Sequence, residues 1–210
     1  MIDQVELDLR SILLPVRDQG PRPTCLAHAV SAAHEHTRRT GAYLSPEYLH
    51  FFSDPTDSSC ARSIVQVAKA LQDDGQAEEA DCPYLPAGPP SGWQPANGVP
   101  VFRHSSEPKM ANPTTVERLV RGGSVPVLGI TLSESFFDPH APWVIASRGS
   151  IRGLHAVACV GLGRHHGNPI FLVRNSWGTD WGDAGYAWLN EDFLAQHLKQ
   201  VLLLTHEITS

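Results

Sequence analysis

The chain has 210 residues, of which 41% are hydrophobic and 18% charged, and a formal net charge of −6. A chain of this length and composition can bury a substantial core, as folded soluble domains do. The acidic balance without a basic block excludes a surface for nucleic acid or an anionic membrane, and no apolar run is long enough to span a bilayer.

The first half of the chain is predicted to be mainly helical. Alternating apolar and acidic residues from Val5 to Leu9 predict a short edge strand. Three helices are expected to follow: one that begins at Cys25, one within Tyr43–Phe52 whose first helical residue is Pro46, and one that begins at Ile64. Thr24 and Ser45 are the predicted N-caps of the first two. Residues 54–59, between the second and third helices, are predicted to form a loop.

The second half is predicted to be mainly sheet. The segment from Pro83 to Pro100 has six prolines and three glycines, too many for a regular element, and is expected to be an irregular connector. A short helix is predicted from Thr114 to Arg121, together with four strands at 125–132, 155–162, 170–175 and 186–189. Helices followed by strands predict an α+β fold of two lobes with a cleft between them.

Cys25 is the first candidate for chemistry because it lies where a loop becomes a helix. The residues from Asp18 to Thr24 include two prolines and a glycine, which oppose a helix before Thr24. A cysteine in a first helical turn lies near unpaired N–H groups and the positive end of the helix dipole, which are expected to lower its thiol pKa. The alternative interpretation is a small buried cysteine without reactivity.

His155 and Asn175 provide the partners that a thiol nucleophile needs. His155 opens one predicted strand at the sheet edge and Asn175 closes the next, so the two residues are expected to be neighbours. The imidazole would move a proton while the asparagine fixes its tautomer. Gln19, before the helix, could join the Cys25 backbone N–H in binding an oxyanion. Each residue alone also has a structural interpretation, as a strand-end turn residue or an exposed loop amide.

The other cysteines and histidines do not predict a metal site. The four cysteines, at positions 25, 60, 82 and 159, have neither a zinc-site spacing nor the close ladder of a disulfide-rich protein. The eleven histidines lack a spaced set of partner ligands, so no metal and no cofactor is expected. With no signal-like apolar run after Met1, reduced thiols in a cytoplasmic protein are expected.

Three separated motifs make the chain resemble the papain-like cysteine peptidases. These motifs are Asp18-Gln19-Gly20 with Cys25 six positions after Gln19, His155-Ala156-Val157, and Asn175-Ser176-Trp177-Gly178. His155 and Asn175 lie 130 and 150 residues after Cys25, which matches the spacing of the family. The motifs occur in the family's order and span most of the chain.

The resemblance implies one papain-like domain over residues 1–210. A helical lobe is expected at about 18–110, and an antiparallel, barrel-like β lobe at about 111–210 together with the N-terminal strand. An acyl-enzyme would form on the sulfur during peptide hydrolysis, and the implied catalytic residues are Cys25, His155, Asn175 and Gln19. Trp177 would shield the hydrogen bond between the histidine and the asparagine. The implied substrate-binding or supporting residues are Trp177, Leu154, Ala61 and Arg62.

Several residues depart from the family pattern. Arg22 replaces a cysteine that usually forms a disulfide, which leaves Cys60 without its usual partner and favours a reducing compartment. His28 lies one turn beyond the nucleophile, where an aromatic residue is common; it is interpreted as a buried helix residue or as a group that tunes the thiol. The usual substrate-binding glycine pair has no match around Ala61, and no inhibitory pro-segment is expected.

The favoured function is that of a bacterial, intracellular thiol endopeptidase that acts on a protein or peptide. Because an uncontrolled protease would be hazardous in the cytoplasm, regulation by a protein partner or a fused domain is expected. The same nucleophile could instead serve an amidase or a transpeptidase with a different acceptor. A papain-like scaffold that binds peptides without turnover is a further alternative, and a zinc enzyme is the most distant.

Overall fold

A computed structural model of the chain describes residues 2–39, 41–54, 56 and 59–209. The α-helices within these ranges are α1 (Cys25–Arg38), α2 (Pro46–Ser53), α3 (Ile64–Asp73), α4 (Pro113–Arg121) and α5 (Glu191–His197). The strands are β1 (Gln4–Asp8), β2 (Gln76–Ala77), β3 (Val101–Lys109), β4 (Val127–Ser133), β5 (Val144–Ile145), β6 (Ile151–His165), β7 (Asn168–Arg174), β8 (Tyr186–Asn190) and β9 (Leu198–Ile208). In this part of the chain, no helix combines the length and the apolar character that crossing a membrane requires.

The strands of the described residues form one nine-stranded sheet. Its order is β2-β3-β9-β4-β6-β7-β8-β5, and β1 pairs with β6. Paired strands are antiparallel except for β5 and β8, which are parallel. The predicted α+β class is confirmed. The lobe that was expected to be barrel-like is an open sheet, because β2 and β5 stand at its two ends without pairing to each other.

The helices begin where the local sequence signals predict. α1 begins at Cys25, and α2 begins at Pro46, where the Ser45 hydroxyl accepts a hydrogen bond from the Tyr48 backbone N–H. α3 begins at Ile64 after a reciprocal capping box. One cap differs from the prediction. Thr24 precedes α1, but its hydroxyl hydrogen-bonds the Tyr84 hydroxyl at 2.8 Å and makes no cap to the helix.

Five of these helices and strands have no counterpart among the predicted ones: β2, β3, β5, α5 and β9. β3 falls within the range expected for the helical lobe, yet it pairs with β9 in the sheet. β9 lies between β3 and β4, and its run from Val201 to Leu204 is mostly buried. A strand buried on both faces lacks the alternating pattern that identifies a strand from sequence.

The predicted connections agree with the structure in most places. Residues 83–100 contain neither a helix nor a strand, as their prolines predict. β6 and β7 are longer than expected, because only His166 and Gly167 separate them. The predicted loop at 54–59 lies partly outside the described residues, since Pro55, Asp57 and Ser58 are not among them.

Small side chains bring α1 close to the sheet. Ala29 and Ala32 on the helix share one buried cluster with Ala156 and Ala158 on β6. Alanine side chains on both surfaces allow the backbones of a helix and a strand to approach closely. A second cluster packs the opposite face of the sheet against α4 and α5. The close approach of α1 to β6 positions the residues at the start of the helix beside those on the strand.

Candidate active site

Cys25 lies on the seam between the helices and the sheet. It begins α1, and its side chain is partly buried. The backbone N–H groups of Leu26 and Ala156 face its sulfur. Because Ala156 directly follows His155 on β6, this contact brings the sulfur beside the predicted catalytic histidine.

His155 and Asn175 are neighbours, as the order of the strands predicts. His155 Nε2 donates to Asn175 Oδ1 at 2.7 Å, because an amide oxygen can only accept. The same oxygen accepts from the backbone N–H of Ser176 at 2.8 Å. With the proton on Nε2, Nδ1 of the neutral ring is an acceptor suited to a thiol proton. The expectation that His155 opens a strand at the sheet edge is wrong, since it lies within β6, which is flanked by β4 and β7.

Aromatic side chains pack around His155. The Trp177 ring centroid lies 4.7 Å from that of His155, and Phe136 contacts the same imidazole at 5.8 Å. Phe137 stacks on Trp177 with 5.5 Å between ring centroids. The Trp181 indole N–H donates to the Phe136 carbonyl at 2.9 Å, which holds Phe136 in place against the histidine. These rings exclude water from part of the surface of the imidazole.

Gln19 joins the loop before α1 to the end of β7. Its backbone N–H donates to the Ser176 carbonyl at 2.8 Å, and the Ser176 hydroxyl donates to Gln19 Oε1 at 2.6 Å. Gln19 Nε2 donates to the Arg22 carbonyl at 2.7 Å. An amide nitrogen carries two hydrogens, so these contacts orient the group and leave one N–H for another acceptor. The contacts fix the orientation of the Gln19 amide, and its role as an oxyanion donor stays a prediction.

Burial controls the protonation of the site. It raises the pKa of the Cys25 thiol, although the N–H groups of Ala156 and Leu26 act in the opposite direction. The expectation that the start of the helix lowers this pKa is therefore wrong, because desolvation has the larger effect. Burial also lowers the pKa of His155 to about 4, although the hydrogen bond that His155 donates to Asn175 acts in the opposite direction. Burial disfavours a Cys25 thiolate and a His155 imidazolium when either forms alone. The thiolate is therefore expected to form together with an adjacent imidazolium, as an ion pair.

The other predicted site residues lie in different environments. Leu154 precedes His155 and is 77% exposed, and Ala61 is also exposed. Arg62 is buried, and its guanidinium donates to the carbonyls of Cys60 at 2.7 Å and His50 at 3.3 Å. Arg62 therefore ties its loop to α2, and its guanidinium is directed at these backbone carbonyls.

Several residues that shape the site were not identified from the sequence. Ser176 and Tyr84 both hold Gln19, and the Tyr84 hydroxyl donates to its carbonyl at 2.7 Å. Phe136 contacts His155 from a turn that carries no recognisable motif. Glu47 forms a buried ion pair with Arg22. The sequence signals for these residues were the place of Ser176 in the motif that begins at Asn175, and the arginine at position 22 in place of an expected cysteine.

The described residues include no group of three or more histidine, cysteine or acidic side chains arranged to hold a metal ion. None of the four cysteines forms a disulfide within this part of the chain. Of these thiols, Cys25 is the one that faces the backbone N–H of Ala156, next to His155 on β6, whereas Cys82 and Cys159 are buried in the protein interior. The site therefore presents one thiol, one imidazole and one carboxamide.

Two further buried histidines on α1 predict that acid destabilises the fold. Burial lowers the pKa of His28 to about 3 and that of His34 to about 4. An unfolded histidine has a pKa near 6.5, so the unfolded chain binds more protons as the pH falls below that value. Above about pH 6.5 both histidines are neutral in the folded and unfolded states, and below it each lowers stability, His34 down to about pH 4 and His28 down to about pH 3. Glu35, whose pKa burial raises, offsets part of this effect.

We expect the free energy of unfolding to fall by roughly 1–3 kcal/mol per pH unit near pH 5. Urea unfolding at pH 7.5 and pH 5.0 measures this slope. His34→Gln should remove part of it, while a change at the exposed His206, such as His206→Gln, should leave it intact. A stability that is constant between these pH values would contradict the assignment of buried, neutral histidines.

Comparisons with known proteins agree with this arrangement. The sequence model described as papain family cysteine protease matches residues 4–200. Cysteine proteinase 3 of Entamoeba histolytica is 27% identical over 198 residues, which is 89% of this chain and 62% of the relative. Cathepsin K of Gallus gallus is 28% identical over 201 residues, or 91% of this chain and 58% of the relative. The chain thus spans about three fifths of the length of these curated relatives.

Solved structures show the same fold. Xylellain, a cysteine protease from Xylella fastidiosa, superposes with a TM-score of 0.81 over 95% of this chain and 85% of that protein, at 21% sequence identity. The match to the family covers nearly the whole chain, and its fold brings Cys25, His155 and Asn175 to one seam. The chain therefore belongs to the papain family of cysteine proteases.

Proposed function

We propose that the protein is a cysteine endopeptidase that hydrolyses peptide bonds through Cys25, His155 and Asn175. The observation that carries the proposal is the 2.7 Å hydrogen bond from His155 Nε2 to Asn175 Oδ1, on the strand that faces the Cys25 sulfur. It leaves Nδ1 of the imidazole to exchange a proton with the thiol. Family membership supports peptides or proteins as the substrate class.

The proposed reaction begins with proton transfer from the Cys25 thiol to His155 Nδ1. The thiolate attacks the peptide carbonyl carbon, and the carbonyl oxygen becomes an oxyanion. The Cys25 backbone N–H and the second N–H of Gln19 Nε2 bind this oxygen. The imidazolium then protonates the departing amine, which leaves an acyl group on sulfur. His155 next takes a proton from water, the hydroxide attacks the thioester, and the acid product departs from the restored thiol.

The surface beyond Trp177 supports binding of the leaving-group side of a peptide. Because His155 protonates the departing amine, and Trp177 packs on His155, the neighbouring surface lies on that side of the scissile bond. It forms a cavity of about 420 Å³ that includes Trp143, Phe137 and Asp180. A cavity of this size with aromatic walls suits an apolar or cationic side chain.

We propose that the enzyme works in a reducing, intracellular compartment. The absence of a disulfide among the described residues and the arginine at position 22 support this location. Control by a protein partner or a fused domain is part of the proposal, because an active protease in such a compartment requires restraint. A bacterial origin is also proposed, supported by the likeness of the fold to that of the Xylella protein.

The alternatives differ in what happens after acylation. An amidase or a transpeptidase would use the same nucleophile, and a transpeptidase would pass the acyl group to an amine in place of water. A binding protein without turnover would show neither hydrolysis nor transfer of the acyl group. Occupation of all the expected positions, Gln19, Cys25, His155 and Asn175, favours an enzyme over the binding protein.

Trapping the acyl-enzyme distinguishes these possibilities. The protein is mixed with a peptidyl ester, quenched in acid and analysed by mass spectrometry. We expect the acyl mass on the peptide that contains Cys25, followed by release of the free acid. If an added amine captures most of the acyl group, the reaction is a transfer. Turnover without an adduct on Cys25 would refute the proposed mechanism, and an adduct that never turns over would favour the binding protein.

A further inference from the structure

A small cavity lies behind the candidate site, between α1 and the sheet. Its lining includes His28 from the helix and Asn175 from the end of β7. The volume open to the centre of a water molecule is about 10 Å³. A cavity of this volume is close to the minimum that holds one water, and a bound water requires two to four polar partners.

Two buried nitrogens in the lining of this cavity lack a hydrogen-bond partner within the described residues. They are His28 Nε2 and Asn175 Nδ2. His28 is 4% exposed and Asn175 is 3% exposed, so bulk water does not reach them freely. A buried polar group without a hydrogen-bond partner costs free energy. Two such groups in one cavity therefore indicate a molecule that bridges them.

The two nitrogens have complementary roles. His28 Nδ1 lies 3.1 Å from the Thr24 carbonyl oxygen, which can only accept, so Nδ1 carries the proton. Burial and the positive charge of Arg17 lower the pKa of His28 to about 3, so the ring is neutral at pH 7 and Nε2 is an acceptor. Asn175 Nδ2 is a donor, because the oxygen of the same amide accepts from His155 and Ser176.

The charged groups near the cavity do not supply the missing acceptor. Arg17 and Arg174 both line it, and guanidinium groups only donate. Arg17 donates to the Leu44 carbonyl at 2.9 Å and pairs with Glu35. Arg174 donates to the Pro15 carbonyl at 2.6 Å. Arg22 and His50, which also act electrostatically on His28, lower its pKa further and keep its ring neutral.

We propose that one water in this cavity accepts from Asn175 Nδ2 and donates to His28 Nε2, which makes His28 a positioning residue for the candidate active site. The chain of hydrogen bonds then runs from Thr24 through His28, the water and Asn175 to His155. If the Asn175 amide turned over, its N–H would meet the Nε2–H of His155 and its oxygen would face the water. His155 Nε2 and the Ser176 backbone N–H both require Oδ1 on their side of the amide, and the water held by His28 gives Asn175 Nδ2 an acceptor in that orientation.

This inference rests on the proposed function only in that it concerns the same residues. Its test therefore uses the rate at which iodoacetamide alkylates Cys25, which does not require peptide turnover. The rate is measured from pH 5 to pH 10 in the intact protein, with mass spectrometry to confirm Cys25 as the modified residue. His28→Phe keeps a ring of similar size but removes the acceptor, whereas His28→Gln retains an amide oxygen.

We expect His28→Phe to alkylate about two- to tenfold more slowly near pH 6–7, the loss expected for one hydrogen bond. The difference should shrink toward pH 10, as a growing share of the thiol ionises without help from the imidazolium. His28→Gln should remain within about twofold of the wild type if its amide oxygen replaces the acceptor. A purely structural role for His28 would slow alkylation across the whole pH range.

The Asn175→Ala background provides the decisive comparison. If His28 acts through Asn175, adding His28→Phe to Asn175→Ala changes the rate no further, because the residue it positions is absent. An equal additional loss in that background would overturn the proposal. So would a wild-type rate for His28→Phe, or a His28→Gln protein that is as slow as His28→Phe. Circular dichroism at each pH verifies that the variants are folded, and His28→Gln decides if His28→Phe does not fold.

Discussion

Replacing Cys25 with alanine is expected to abolish peptide hydrolysis, with a loss approaching 10⁶-fold, about the effect of removing the nucleophile of a serine-protease triad. The loss is this large because His155 and Asn175 act only through the sulfur, and water held near an imidazole is a poor substitute. Binding of peptide in the cleft should change little. Hydrolysis of a fluorogenic peptide and labelling by an epoxide inhibitor measure the two consequences of the change.

Cys60 provides the matched control. Its thiol is exposed and lies in the loop before α3, whereas the Cys25 thiol lies beside β6. Cys60→Ala should hydrolyse peptides within about twofold of the wild type, as surface changes away from a site usually do. Equal epoxide labelling of the wild type and Cys25→Ala, or a large loss of activity in Cys60→Ala alone, would show that the nucleophile has been assigned to the wrong residue.

The elements of the site that could be predicted from sequence are those fixed by local signals. A loop with two prolines and a glycine followed by an amphipathic pattern predicts that α1 begins at Cys25, and α1 does begin there. The proximity of His155 and Asn175 follows from two consecutive antiparallel strands joined by a short turn. Both inferences use residues that are close along the chain.

The features that could not be predicted depend on distant parts of the chain. β9 pairs with β3 and β4, which lie far from it in sequence, and no local pattern reports such pairing. The direction of the Cys25 pKa shift depends on how deeply the sulfur is buried. A position at the start of a helix does not predict that burial. The Thr24 hydroxyl does not cap α1 because it hydrogen-bonds the hydroxyl of Tyr84, a residue of the irregular connector.

Arg22 shows how the chain replaces a covalent tie that the family usually has near the nucleophile. Its guanidinium forms a two-point ion pair with Glu47 on α2, with Nη2 3.0 Å from Oε1. The same guanidinium donates to the Leu85 carbonyl at 2.8 Å and lies over the Tyr84 ring. The Arg22 carbonyl accepts from Gln19 Nε2. This one residue therefore joins the loop before Cys25 to α2 and to the connector.

Removing Glu47 is expected to destabilise the protein strongly. The carboxylate of Glu47 is 1% exposed and the side chain of Arg22 is 8% exposed, so Glu47→Ala leaves a buried guanidinium without its counter-charge. Breaking a buried pair by removing one partner typically costs about 3–5 kcal/mol, equivalent to a fall in Tm of roughly 6–20 °C for a chain of this size. Thermal unfolding followed by circular dichroism measures the fall. Lys69→Ala, which breaks an exposed pair with Asp73, should change stability by less than about 1 kcal/mol.

A second variant separates the cost of an unpaired charge from the loss of an attraction. Arg22→Met combined with Glu47→Leu removes both charges and fills the space with apolar side chains, so it should be more stable than Glu47→Ala alone. The double variant keeps the backbone carbonyl of residue 22, so the hydrogen bond that orients Gln19 should survive the loss of the arginine side chain. If the double variant is as unstable as Glu47→Ala, the ion pair between Arg22 and Glu47 does not replace the family's disulfide. Packing and the hydrogen bond to Leu85 would then hold the loop before Cys25.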